Sequence, residues 1–204
     1  MHPMTMHPSP HRLTSYLLYK RYSGRFKVCL LSFFLCLQGC SLAIPEGIKP
    51  VTGLDVHQYL GRWYEIARLD HRFERGLEQV TATYSLREDG SIGVENMGWN
   101  NQKAQQQTSI GKATFVSDTH LGHFKVSFQK PFYGSYVVFY LEADYSVALV
   151  CGPSRDYCWI LARKPVLAPE KLAKYRKIAQ DHGFAVEDFI YVRHTIPPDN
   201  VAAH

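Results

Sequence analysis

The stretch Gly61-Arg-Trp-Tyr-Glu-Ile-Ala-Arg68 is the most informative part of this 204-residue chain. Alternate side chains of a β-strand share one face, so the stretch is predicted to be a strand with Trp63, Glu65 and Ala67 turned inward. A carboxyl group in an apolar interior is costly unless it is paired or protonated. The sequence therefore leaves three interpretations of Glu65: a salt bridge, an outward-facing register, or a contact with a ligand.

Seven more segments have the alternating or apolar pattern and the spacing of an antiparallel meander. Eight antiparallel strands in sequence lose their exposed edges by closing into an up-and-down barrel. The predicted fold is therefore an all-β, eight-stranded barrel, whose interior is wide enough for side chains or one small ligand. The seven segments are residues 80–86, 91–96, 108–116, 124–128, 135–141, 146–151 and 158–163.

One helix and one short strand complete the predicted fold. Residues 170–182 carry apolar side chains on one helical face between Pro169 and Gly183, which are typical start and stop residues. This helix is expected to pack on the outside of the barrel, and residues 189–192 follow as a short strand. Residues 136–141 are apolar on both faces, so the helix, or a second subunit in a homodimer, is expected to cover the outer face.

The positive charge of the chain is confined to its N-terminal segment. The formal net charge is +5, but residues 1–39 contain five Lys or Arg and no acid, which leaves 18 basic and 18 acidic residues in the remainder. This balance predicts no nucleic-acid partner. Residues 28–37 are mostly apolar but too few to cross about 30 Å of hydrocarbon, which is typical of a signal-peptide core.

A cysteine follows this apolar core. Leu37-Gln-Gly-Cys40 resembles the lipobox of bacterial lipoproteins, in which the signal peptide is removed before a cysteine that then carries acyl chains, although Gln38 departs from the usual small residue. A plain secretory signal is the alternative. The expected organisation is a signal peptide over 1–39, a lipidated tether over 40–52, the folded domain over 53–195 and a disordered tail over 196–204.

Three motifs occur in the order found in the lipocalin family, which this chain resembles. They are Gly61 and Trp63 at the start of the first strand, Asp144 and Tyr145 after the sixth strand, with Ala143 in place of threonine, and Arg163 before the helix. The resemblance implies that Trp63 closes one end of the barrel while the Arg163 guanidinium stacks on its ring.

The resemblance extends over about residues 53–194. Residues 70–76, the run Cys151-Gly-Pro and the lipobox make it more specific, because together they resemble the bacterial outer-membrane lipocalins near the apolipoprotein D branch. The function that this resemblance implies is storage or transport of lipid by a protein anchored through Cys40 to the outer membrane, on its periplasmic side.

The resemblance also implies a ligand inside the barrel, either a fatty acid or a lysophospholipid. A barrel filled by its own aromatic side chains, with no ligand, is the alternative. Residues 69–79 would form the loop at the open end, as a ligand gate or as a solvated loop held by ion pairs. The predicted ligand-binding residues are Glu65, Phe73, Tyr84, Phe124, Val126, Phe128, Tyr136, Val138 and Tyr140.

Motifs typical of enzymes are missing from the sequence. It contains neither H-E-x-x-H nor G-x-S-x-G, so we predict no catalytic activity, no cofactor and no metal site. A lipid-modifying enzyme and an envelope lipoprotein that acts through protein contacts are the two alternatives to a lipid-binding protein.

Two cysteines, Cys151 and Cys158, flank a predicted hairpin in the mature chain. A symmetric hairpin register places them directly opposite each other, within reach of disulfide geometry. Pro153 favours an irregular loop, and a slip of one residue would turn the two thiols to opposite faces. A disulfide and two free, partly buried thiols therefore both remain open.

Overall fold

The computed structural model describes residues 42–195, so the predicted lipidation site Cys40, the signal peptide and the tail lie outside the described residues. Eight consecutive antiparallel strands pair in order, and the first strand also pairs with the eighth, which closes the barrel. The predicted eight-stranded barrel is confirmed. Its strands are β1 (Gly61–Arg68), β2 (Leu77–Leu86), β3 (Ile92–Asn100), β4 (Gln105–Phe115), β5 (His123–Gln129), β6 (Phe132–Leu141), β7 (Val147–Cys151) and β8 (Cys158–Ala162).

The remaining elements come before the first strand or after the eighth strand in the chain. A short helix, α1 (Val56–Tyr59), precedes β1, and the predicted C-terminal helix is α2 (Pro169–Asp181). A 3-10 turn (Val186–Asp188) leads to β9 (Ile190–Tyr191), which pairs with the last residues of β1. Within the described part of the chain, no helix is long and apolar enough to cross a membrane.

Strand direction defines two ends of the barrel. β1 runs from Gly61 to Arg68 and each later strand runs opposite to the one before it, so successive connections alternate between the ends. We call the end at Gly61 the closed end and the end at Arg68 the open end. The closed end carries connections 87–91, 116–122 and 142–146, and the open end carries connections 69–76, 101–104, 130–131 and 152–157.

The closed end is built around Trp63 and Arg163. Trp63 is fully buried, and the Arg163 guanidinium carbon lies 3.9 Å from the centre of its ring. The Trp63 indole N–H donates to the carbonyl of Tyr59 at 2.8 Å. Arg163 donates hydrogen bonds to the backbone carbonyls of Gln58, Tyr59, Arg62 and Tyr145. The implied stacking of Arg163 on Trp63 is thus present and is fixed by neutral acceptors rather than by a carboxylate.

The other two motif positions shape the same end. Gly61 has a φ of +88°, a conformation that glycine adopts without strain, and a Cβ there would lie 3.5 Å from Arg163 Nη1. Asp144 Oδ1 accepts a hydrogen bond from the Ser146 amide at 3.0 Å and so holds the turn before β7. The Tyr145 hydroxyl accepts from the Asp55 amide at 2.8 Å, which connects this turn to the start of α1.

Residues of the same chain cover the outer face of β6. Val137 and Phe139 point outward and are buried, and Phe139 stacks on Phe184 with ring centres 5.3 Å apart. Tyr175 and Ala179 of α2 belong to the same outer cluster. The apolar outer face of β6 therefore needs no second subunit, and the homodimer stays a prediction.

The segment 42–52 packs on the barrel, which corrects its predicted role as a tether. Ile48 is buried in the outer cluster, and the Val51 amide donates to the Val138 carbonyl at 2.9 Å. Thr52 forms an isolated antiparallel bridge with Leu121. Two prolines and a glycine suggested a free linker, but Ile48 and Val51 provide enough apolar surface to dock it.

Cys151 and Cys158 pair directly across the β7–β8 hairpin, in the symmetric register. Both side chains are free thiols and fully buried, not partly buried. Burial raises the pKa of the Cys151 thiol to about 12 and that of Cys158 well above its ordinary value. Both thiols are therefore held in the protonated form at neutral pH.

Trp63→Ala should destabilise the fold by about 3–5 kcal/mol, because it opens a cavity and removes the ring on which Arg163 stacks. Trp99→Ala is the matched control, since Trp99 is 38% exposed and its removal should change stability by less than about 1 kcal/mol. Urea unfolding monitored by circular dichroism gives both values. Equal unfolding midpoints for the two variants would contradict the assigned role of Trp63.

Candidate functional site

The inner face of the barrel is lined mainly by aromatic and aliphatic side chains. Five of the predicted ligand-binding residues belong to the inner hydrophobic cluster or pack against it: Tyr84, Phe124, Val126, Tyr136 and Val138. Phe124 lies between Phe115 and Tyr136, with ring centres 4.7 Å and 6.0 Å away. This composition suits the apolar part of a small molecule.

Three tyrosine hydroxyls meet inside the barrel. The Tyr136 hydroxyl lies 2.7 Å from that of Tyr59 and 2.8 Å from that of Tyr84. Burial is the largest cause that raises the pKa of all three phenols, and the neighbouring phenols raise the pKa of Tyr59 and Tyr136 further. The three hydroxyls are therefore neutral at physiological pH and act only through hydrogen bonds.

One inward-facing position leaves open space. Gly134 of β6 pairs with Val126 of β5, and directly opposed residues share a face, so both point inward. A Cβ placed on Gly134 would meet no atom within 4 Å. At Gly111 a Cβ would clash with the Phe128 ring at 2.8 Å. Gly134 is half-buried near the open end, so the side chains of the barrel leave space beside it at the mouth of the interior.

Bulges in β6 and β1 correct two predicted orientations. The β6–β7 register shifts between Val138 and Tyr140, so Tyr140 turns to the outer wall, where its ring lies 6.0 Å from that of Tyr175. A shift between Glu65 and Ala67 likewise moves Ala67 into the outer cluster. In both strands an additional residue interrupts the alternation on which the predictions rested.

Two of the predicted aromatic residues lie at the open end instead of deep inside the barrel. Phe73 is 66% exposed on the β1–β2 connection and Arg72 stacks on its outer surface at 5.0 Å, so it does not line the interior. Phe128 is 47% exposed near the end of β5, and its ring lies beside Gly111. Phe73 was misplaced because the connection turns other side chains inward.

Glu65 faces inward and has a cationic partner. Arg68 Nη1 donates to Glu65 Oε1 at 2.6 Å, and both side chains are almost fully buried. The salt-bridge interpretation of Glu65 is therefore correct. Arg68 reaches the interior because of the bulge, and its Nη2 donates to the carbonyls of Glu74 and Leu77.

The β1–β2 connection adds His71 and Glu74 to this interior polar group. Glu74 Oε2 accepts a hydrogen bond from the Trp159 indole at 3.1 Å and lies 3.2 Å from His71 Nε2. The His71 ring is buried against Tyr157 and Trp159, with ring centres 5.7 Å and 5.1 Å away. The connection thus folds over the open end and contributes polar atoms to the interior.

The two carboxyl groups of this cluster have opposite pKa shifts. Burial, followed by the negative charge of Glu74, raises the pKa of Glu65 well above its ordinary value despite Arg68. Burial also acts to raise the pKa of Glu74, but the neighbouring His71 ring and the hydrogen bond from the Trp159 indole outweigh it and lower that pKa. Glu65 therefore takes up a proton more readily than Glu74 does.

Besides the two ring nitrogens of His71, two buried polar atoms on the inner side have no hydrogen-bond partner within residues 42–195. They are Arg68 Nε and Asn96 Oδ1, and Asn96 faces inward because it pairs with Ala82 of the inner cluster. An unpaired buried donor and an unpaired buried acceptor favour a ligand or water that satisfies both. In the same part of the chain, no group of His, Cys, Asp and Glu has a geometry that would hold a metal ion.

The predicted ligand-binding residues did not include Arg68, His71, Glu74 or Trp159. Arg68 ends the stretch that opens β1, and the alternation assigned it to the outer face. His71 and Glu74 occur in a run of charged residues that is equally typical of a solvated loop. The one available signal was Glu65 itself, because a predicted inward carboxyl requires a buried partner nearby.

Comparisons with known proteins agree with this architecture. A family model described as a lipocalin-like domain matches residues 54–194. The outer membrane lipoprotein Blc of Vibrio cholerae is 46% identical over 167 residues, which cover 81% of this chain and 97% of that protein. Apolipoprotein D of mouse (Mus musculus) is 31% identical over 172 residues, or 79% of this chain and 89% of that protein.

A solved structure shows the same fold at low sequence identity. Insecticyanin from the tobacco hornworm Manduca sexta superposes with a TM-score of 0.61 at 18% identity, over 75% of this chain and 87% of that one. The bacterial relative confirms the predicted outer-membrane localisation. The family match over most of the described residues, together with the closed end at Trp63 and Arg163, shows that this chain belongs to the lipocalin family.

Proposed function

We propose that this protein binds fatty acids or lysophospholipids in its barrel and stores or transports them at the outer membrane. The observation that carries the proposal is the unfilled space beside Gly134, on an inner face made of aromatic and aliphatic side chains. An acyl chain is apolar and narrow enough for a barrel of eight strands. Membership of the lipocalin family favours a binding protein over an enzyme.

The arrangement of polar groups gives the bound lipid a direction. The buried pair of Glu65 and Arg68 lies near the open end, and Glu74 joins it from the β1–β2 connection. A lipid head group would contact this cluster and the unpaired Arg68 Nε, while its acyl chain would extend between Phe124 and Tyr136 toward the closed end. The opposite direction would bury the head group against the neutral tyrosines.

We also propose that Cys40 carries the acyl chains that anchor the protein. Cys40 follows an apolar core of signal-peptide length, and the related protein of Vibrio cholerae is an outer membrane lipoprotein. Residues 1–39 would then be absent from the mature protein. The segment from Ile44 onward packs on the barrel, so only a few residues of the chain separate Cys40 from the packed part of the domain.

Gly134→Leu should fill the open space and weaken the binding of a fluorescent fatty acid at least about tenfold, while stability changes by about 1 kcal/mol or less. The backbone at Gly134 has no positive φ, so leucine fits without strain. Fluorescence titration and mass spectrometry of a lipid extract measure the effect.

Thr108→Leu is the control for this variant. Thr108 is exposed on the outer face of β4, so this substitution introduces the same leucine side chain away from the cavity. Unchanged affinity in Gly134→Leu would favour the filled barrel. An extract without lipid from either protein would favour an envelope lipoprotein that acts through protein contacts.

Glu65→Gln should alter the pH dependence of stability. Because the pKa of Glu65 is raised in the folded protein, the folded state binds more protons than the unfolded state above about pH 4.3, and stability falls as pH rises toward the folded-state pKa. Glutamine does not titrate, so the variant should gain stability relative to wild type as pH rises through this window.

Urea unfolding midpoints measured between acidic and neutral pH test this expectation. Glu95→Gln serves as the control, since Glu95 is exposed on β3 and lies far from Arg68. Parallel stability curves for wild type and Glu65→Gln would show that Glu65 does not hold a proton in the folded state.

Cys40→Ala should abolish the incorporation of labelled fatty acid and leave the precursor uncut, because the thiol is the group that the lipid modifies. Cys36→Ala, in the apolar core, is the matched control and should still be labelled. Metabolic labelling followed by gel electrophoresis distinguishes the two variants. Labelled Cys40→Ala protein would exclude Cys40 as the acylated residue.

A further inference from the structure

Exposed aromatic side chains are concentrated at the open end of the barrel. Among residues 42–195, five aromatic side chains are exposed, and all of them lie on or beside the open-end connections: Phe73, Trp99, Phe128, Phe132 and Tyr191. The exposed hydrophobic residues at the closed end are aliphatic, such as Leu86 and Val116. Clustered exposed apolar groups are unusual on a soluble surface and mark a contact site.

The connections at the two ends of the barrel also differ in charge. The four open-end connections contain five basic residues, Arg72, Arg75, Lys103, Lys130 and Arg155, and three acids, Asp70, Glu74 and Asp156. The three closed-end connections contain one basic residue, Arg87, and five acids, Glu88, Asp89, Asp118, Glu142 and Asp144. The connections between strands therefore carry a net positive charge at the open end and a net negative charge at the closed end.

Two of the open-end cations are available for an external partner. Lys103 and Lys130 are exposed and have no acidic partner among the residues that the structure describes. Lys103 lies in the connection that follows Trp99, and Lys130 lies between Phe128 and Phe132. Arg75 and Arg155, in contrast, are bound to Asp70 and to backbone carbonyls.

We propose that the open end of the barrel docks on an anionic phospholipid surface. Aromatic side chains are favoured at the level of lipid head groups, and lysine adds electrostatic attraction to anionic lipids. A second copy of the chain fits less well, because two open ends facing each other would bring Lys103 and Lys130 together with their counterparts. The acidic closed end would face away from the membrane.

This inference rests on the proposed function and deepens it, because docking would place the cavity entrance at the membrane that contains the lipid ligand. A lipid that leaves the bilayer would pass the exposed aromatic residues and then contact Arg68 and Glu74 under the β1–β2 connection. Docking itself depends on the exposed residues and not on the occupancy of the cavity. The two proposals can therefore fail separately.

Quenching of tryptophan fluorescence by brominated acyl chains tests the orientation. The mature acylated protein is inserted into vesicles of phosphatidylglycerol with phosphatidylethanolamine, and the difference between wild type and Trp99→Phe isolates the signal of Trp99. Val116→Trp in the Trp99→Phe background reports on the closed end, and Val116 and Trp99 have the same exposure of 38%. Strong quenching is expected at Trp99 and none at position 116.

Charge variants test the electrostatic part. Lys103→Glu combined with Lys130→Glu should abolish the quenching of Trp99, whereas Lys49→Glu combined with Lys164→Glu should preserve it. Lys49 and Lys164 are also exposed, but they lie near the turn of Glu142 and after Arg163, toward the closed end. Replacing phosphatidylglycerol with phosphatidylcholine should reduce the quenching of Trp99 in the same way.

Equal quenching at the two ends, stronger quenching at position 116, or no quenching at either end would overturn the docking proposal. Cross-linking of two copies through the open end, with Trp99 shielded from brominated lipid, would overturn it as well.

If the protein carries no acyl chains, the anchoring proposal fails instead. Quenching of protein simply added to the anionic vesicles then decides the docking proposal, and absence of binding would overturn it.

Discussion

The contact between Arg163 and the Trp63 ring holds together parts of the chain that are about 100 residues apart. A barrel closes only when its first and last strands meet, and the loss of chain entropy that accompanies this closure opposes it. Arg163 follows β8 and Trp63 belongs to β1, so their stacking fixes the strand pair that completes the barrel. The backbone carbonyls that Arg163 also binds extend this support to α1 and to the turn before β7.

The barrel could be predicted from the sequence because the evidence for it recurs in every strand. Each of the eight strands carries its own alternating or apolar pattern, and the motif residues Gly61, Trp63 and Arg163 occur at the positions that the strand order predicts. The facing of individual residues was less predictable. Around Tyr140 the sequence is apolar on both sides of the strand, so a bulge there buries comparable side chains in either register. At Ala67 the bulge instead turns the small side chain outward and Arg68 inward, which no apolar pattern indicates. Alternation alone does not fix such positions.

The interior charges show a different limit of sequence analysis. Glu65 signalled the need for a buried partner, but Arg68 reaches it only through the bulge in β1. Glu74 and His71 arrive from a connection whose path depends on Trp159, which is about 85 residues away in the chain. Asp70 and Arg75 of that connection form an exposed ion pair, as the solvated-loop interpretation expects, while His71 and Glu74 turn inward. The ligand gate stays a prediction.

The thiols of Cys151 and Cys158 have a consequence for how this protein can be observed. Both are buried in a strand pair near the open end, and burial suppresses the thiolate form that reacts with alkylating reagents. Reaction therefore requires the β7–β8 hairpin to separate from the wall, through local opening or complete unfolding. The rate of alkylation therefore measures how often this hairpin opens, and no reactive residue has to be introduced into the domain for the measurement.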